Sequence, residues 1–134
     1  MFLKELNKKE RENFLELANY VIKVDGEVSA VETNIFENYV AEMKLYKEEY
    51  KLKNKDIDEV IKEFNASTKK KKKIVLIELF GIILCNNDYH EEEKKLVEKI
   101  QKEWNFRDYE INKCKRWVED FNDLLEEAYI FIGK

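Results

Sequence analysis

The chain has 134 residues, with 25 Lys and Arg against 29 Asp and Glu for a net charge of −4, and 44% of it is hydrophobic. The length fits one domain, and eight Phe, seven Tyr and two Trp exclude a disordered chain. The lack of proline and the presence of only three glycines argue against an all-β fold, and the acidic balance argues against a nucleic-acid partner.

The opening Met1-Phe2-Leu3-Lys4-Glu5 leads directly into charged residues, with no apolar leader. The longest apolar run, 79–85, is too short to span a bilayer, so no integral membrane segment is expected. A cytoplasmic location with Cys85 and Cys114 reduced is the matching expectation.

The first helix is expected over 8–24, where Phe14, Leu15, Ala18, Val21 and Ile22 recur at helical spacing. Asp25-Gly26 ends it, glycine being suited to the left-handed residue that closes a helix. Ser29 through Glu32 form a capping-box pattern, in which serine caps and glutamate reaches back. A second helix over 29–44 then places Ile35, Phe36, Tyr39, Val40 and Met43 on one face, with Glu32 on the same stripe.

A short third helix is expected between Asn54 and Asn65, with Ile57, Val60, Ile61 and Phe64 inward. The next, over 68–86, is apolar on nearly every side from Ile74 onward and is the candidate central helix. Gly81 within it calls for the close approach of a neighbouring helix. The last helix starts near Asp108, with Ile111, Cys114, Val118, Phe121, Leu125, Ala128 and Ile132 on its inward stripe. Tyr109, Trp117, Tyr129 and Phe131 on it offer a docking face, although covering the core is the expected role for most of them.

The chain repeats itself. Shifted by 61 residues, Phe14, Leu15, Ala18, Val21 and Ile22 fall on Val75, Leu76, Leu79, Ile82 and Ile83. Glu32 falls on Glu93, and Ile35, Phe36 and Tyr39 fall on Leu96, Val97 and Ile100. This register predicts two helix–loop–helix copies, 14–45 and 75–106, followed by a helix over 108–132. The fold class is therefore all-α: a compact bundle of about six helices forming a single domain over 1–134.

Acids gather where the two copies turn: Asp25, Glu27 and Glu32 in the first, and Asp88 and Glu93, with Glu91 and Glu92, in the second. Oxygen-rich sets of this kind suit a hard divalent cation, Ca²⁺ or Mg²⁺. Asp25 to Glu32 matches the second half of an EF-hand loop. Val21 and Lys23 stand where its first carboxylates belong, so an ordinary EF-hand is excluded. Helix capping accounts for the same acids without an ion. A joint ion site also requires the two bends to converge.

Phe14-Leu15-Glu16-Leu17-Ala18 running to Val24-Asp25-Gly26-Glu27-Val28-Ser29, then Glu32, resembles the opening motif of the tellurite-resistance TerB-like family. Glu78-Leu79-Phe80-Gly81 running to Asn86-Asn87-Asp88-Tyr89-His90-Glu91-Glu92-Glu93 resembles its second motif, with Asn86-Asn87 where that motif usually has Asp-Gly. The resemblance implies an all-α domain with internal twofold pseudo-symmetry, divalent-cation binding through the loop acids and a role in stress response or defence. It also implies protein partners, since such domains occur fused to other modules.

Enzymatic signatures are missing. His90 is the lone histidine, and no phosphate-binding glycine loop, HExxH or CxxC is present, so no catalytic residue is assigned. Lys69–Lys73 form a lysine run, read as a solvated helix start in preference to an anion-binding patch. His90 is read as a cap in preference to a zinc ligand, and Glu78 as a carboxylate with a structural partner. The competing functional reading is a protein-interaction scaffold in which the loop acids are only helix caps.

Overall fold

A computed structural model describes residues 2–24, 30–45, 50–85 and 89–133 (for 43–45, the backbone only). Among the described residues there are six α-helices and no strand. They are α1 (Lys8–Lys23), α2 (Ala30–Leu45), α3 (Ile57–Glu63), α4 (Lys69–Ile83), α5 (Glu91–Glu103) and α6 (Asp108–Ile132), with 3-10 turns at Leu3–Glu5 and Phe64–Ala66.

The helix starts follow local chemistry. Asn7 opens α1 with a full capping box: its side chain accepts from the Glu10 amide at 2.9 Å, and the Glu10 carboxylate accepts from the Asn7 amide at 2.8 Å. Thr68 caps α4 by accepting from the Lys71 amide. The expected third helix begins later than Asn54, which sits at φ 50°, a left-handed conformation that asparagine tolerates and a helix does not. Asn105 at φ 56° turns the chain from α5 into α6 in the same way.

α1 packs against α2, α3 and α4, while α4 also meets α6 and the first 3-10 turn, and α5 lies on α3. One apolar cluster runs from Leu3 to Val118, with Phe14, Val60, Val75, Leu79, Phe80 and Ile100 fully buried. The Trp104 indole donates to the Ile61 carbonyl at 2.8 Å and meets the Phe64 ring edge-on, tying the end of α5 to α3. The expected inward positions of α3 are buried, and α4 from Ile74 onward has no exposed residue.

Two expectations are corrected. A methyl group added at Gly81 would lie 3.9 Å from the Tyr39 hydroxyl, an ordinary contact, so no crowding neighbour demands glycine there. On α6, the expected inward stripe holds only as far as Val118. Ile111 and Val118 are buried and Cys114 is half-buried, while Phe121, Leu125, Ala128 and Ile132 are exposed. The Asn122 amide reaches the Leu84 carbonyl at 3.4 Å, and among the described residues of α6 none beyond it is buried. Tyr109, Trp117, Tyr129 and Phe131 are likewise exposed, the last at 92%, so they do not cover the core.

Candidate functional site

Of the predicted cation ligands, Asp25, Glu27 and Asp88 lie outside the described residues, as do Gly26, Ser29, Asn86 and Asn87. Glu32 and Glu93 are described. Each stands in the first turn of the helix that follows its bend, Glu32 in α2 and Glu93 in α5, and each is buried, at 6% and 3% exposure. The helical stripe places them there: Glu32 is three residues before Ile35, and Glu93 is three before Leu96.

The two carboxylates act on a common neighbour. Cys85 follows the end of α4, half-buried, and its thiol is pushed up to about 11 by burial and then by the charges of Glu32 and Glu93. Glu93 also raises the Tyr89 phenol to about 12, after the larger effect of burial. The charges of both first turns thus reach the residue just past α4. Glu93 Oε1 accepts from the His90 amide at 3.0 Å, so His90 is the N-cap residue of α5 and its ring is exposed. Among the described residues, no group of three or more His, Cys, Asp and Glu could hold a metal ion. Glu32 and Glu93 offer the hard oxygen donors that Ca²⁺ or Mg²⁺ prefers, fewer than either ion needs.

Three other buried carboxylates organise the body, and of these the sequence singles out only Glu78. Glu16 of α1 accepts from the Tyr50 hydroxyl, from the Lys53 amide at 2.9 Å and from the Lys55 amide at 3.2 Å. Glu10 accepts from the Ser67 hydroxyl and the Asn7 amide and pairs with Lys71 at 3.1 Å. In both, burial opposes ionisation, but the hydrogen bonds and the nearby lysine charge outweigh it and hold the carboxyl below its ordinary value. Glu16 had a signal: it interrupts the apolar run Phe14-Leu15-Glu16-Leu17-Ala18 on a helix buried all round. Glu78 accepts from the Tyr39 hydroxyl at 2.6 Å and the Phe2 amide at 2.7 Å, a structural partnership of the expected kind. Burial, then the Glu78 charge, raises the Tyr39 phenol, so it stays protonated as the donor.

The lysine run opens α4 as expected, with Lys69, Lys70 and Lys73 exposed, and its side chains are also engaged by neighbouring acids. Lys70 pairs with Glu5 at 3.2 Å, Lys71 with Glu10, and Lys73 with Glu110 at 3.7 Å. Lys69 donates to the Trp104 and Asn105 carbonyls at 3.2 and 2.9 Å and lies 4.0 Å from the centroid of the Phe106 ring. Acids from three neighbouring elements thereby offset the unfavourable placement of cations at the start of α4.

Cys114 lines a cleft of about 630 Å³ between α4 and α6, walled by Phe2, Leu76, Ile77, Tyr109 and Trp117 and rimmed by Lys73, Lys113 and Glu110. Burial pushes its thiol up to about 12, unlike the depressed value of a reactive cysteine, and His90 does not line the cleft. No helix among the described residues is long and apolar enough to cross a membrane. No protein-family model matches the chain, nor does any curated protein or solved structure.

Proposed function

We propose that this chain is a non-enzymatic TerB-like module that binds a divalent cation, Ca²⁺ or Mg²⁺, through the acids of two equivalent helix–loop–helix turns. Glu32 and Glu93 are its inner ligands, and Asp25, Glu27 and Asp88 complete the set. The observation that supports this reading is the matched placement of Glu32 and Glu93: acids 61 residues apart, each buried in the first turn of the helix that follows its bend. Glu93 already accepts from the His90 amide, and a divalent cation is the partner that hard carboxylate oxygens of this kind suit.

Calorimetric titration with Ca²⁺, Mg²⁺, Mn²⁺ and Zn²⁺ tests it. Saturable binding near cellular concentrations, lost in Glu32→Gln and weakened in Glu93→Gln, is the expected result. No saturable binding by any of the four overturns it.

The second reading, an interaction scaffold with the acids acting only as caps, is favoured by the exposed aromatic and aliphatic side chains of α6. Substituting Asp25 by Asn and Glu32 by Gln separates the two. The scaffold reading expects retained partner binding and a loss of about 1 kcal/mol per cap.

A further inference from the structure

The cleft between α4 and α6 joins apolar walls to polar donors that the fold leaves unused. Its volume, about 630 Å³, is that of a small-molecule site, and Leu76, Ile77, Phe106 and Trp117 line it. A second cleft of about 420 Å³ shares Phe2, Lys73 and Ile77 with the first, so the apolar surface continues along α4 towards Lys69 and Lys70. Tyr109, Lys113 and Trp117 follow at steps of four on α6, which puts them on one face of that helix, and all three are exposed where they line the cleft. Among the described residues, neither the Tyr109 hydroxyl nor the Lys113 ammonium has a hydrogen bond or an ion pair.

Charge and hydrogen bonding select the occupant. Glu110 is the acid on the rim of the larger cleft, and it is already engaged. It accepts from the Arg107 amide at 3.0 Å and pairs with Lys73 at 3.7 Å and Lys69 at 3.8 Å. Across both clefts four lysines, Lys69, Lys70, Lys73 and Lys113, stand against two acids, Glu5 and Glu110, on a chain whose net charge is −4. The rim is therefore locally positive. One unpaired ammonium beside one free hydroxyl matches a carboxylate, a monoanion whose two oxygens accept from both. A phosphate dianion would meet the same single unpaired cation. A peptide would bring backbone groups that need partners, and helical walls have spent theirs on themselves. An alkyl chain asks for none.

We propose that this cleft binds a monocarboxylate with an aliphatic tail, a fatty-acid-like anion. The tail lies against Leu76, Ile77, Phe106 and Trp117. The carboxylate accepts from the Tyr109 hydroxyl and the Lys113 ammonium, and Lys73 on the facing helix adds to the positive field. Neither Glu32 nor Glu93 lines the cleft, so this binding and the cation titration succeed or fail separately.

Titration of the whole chain with laurate below its micellar concentration, read by calorimetry and tryptophan fluorescence, tests it. Saturable one-to-one binding is the expected result. Laurylamine, with the same tail and the opposite charge, binds at least about tenfold more weakly. Butyrate, with the same head and almost no tail, shows no saturation. Lys113→Gln and Tyr109→Phe, both at exposed positions, each weaken laurate by about three- to tenfold with an unchanged circular-dichroism spectrum. Lys102→Gln, on α5 outside the cleft, leaves it unchanged. Failure of laurate to saturate overturns the proposal. So does laurylamine binding as tightly as laurate, indifference to both Lys113→Gln and Tyr109→Phe, or an equal loss in Lys102→Gln.

Discussion

Glu16 is 3% exposed and Leu124 is 63% exposed, in a fold whose other leucines on α1 and α4 are almost wholly covered. The two positions separate what decides burial from what residue type suggests. Glu16 is enclosed because a hydroxyl and two backbone amides, from residues at least 34 positions away, meet its oxygens. The acceptor is ionised, and each of those bonds is stronger for it. Leu124 is open because it lies on α6 beyond Val118, the last residue of that helix to be buried. Partner geometry, more than hydropathy, sets the boundary of the folded core.

The contrast can be broken from both ends. Glu16→Ala leaves those three donors without their acceptor and is expected to cost ~3 kcal/mol in urea unfolding. Leu124→Ser is expected to shift the same midpoint by less than about 0.5 kcal/mol. Comparable costs at the two positions would mean that α6 is held by the body after all.

Acid sharpens the same difference. The native carboxyls of Glu10 and Glu16 lie below their ordinary value, so the unfolded chain binds protons first. Their stabilisation is whole above the ordinary glutamate range and is lost as pH falls through it towards the depressed native values. Urea midpoints should decline over that interval, and the decline should shrink in Glu16→Gln. The smallest stability gain is expected at Gly81→Ala: the site has room for the methyl, and the helix gains about 0.5–1 kcal/mol relative to glycine, read as a higher thermal midpoint.

Much of this fold was readable because helical spacing is a local property. The inward faces of α1, α3 and α4 and the starts of α5 and α6 lie where the pattern of apolar residues places them. What periodicity does not reveal is where a helix leaves the body. The stripe Ile111, Val118, Leu125 and Ile132 is continuous in the sequence, yet only its first two members are buried. Nor does it reveal partners distant along the chain: the lysine run stays largely exposed, as read, yet Glu5, Glu10 and Glu110 engage it. Of the candidate site, the burial of Glu32 and Glu93 followed from their place on apolar stripes. Their shared neighbour Cys85 did not, because it depends on how α2 and α5 are set against the end of α4.

The connector over 50–56 has no repeating backbone pattern of its own, yet the Lys53 and Lys55 amides and the Tyr50 hydroxyl are all anchored. The anchor is one carboxylate on a helix that precedes it, 37 positions before Lys53. Glu16 acts there as a template, supplying the acceptors that a neighbouring strand would otherwise provide. The route of the connector is therefore encoded in α1.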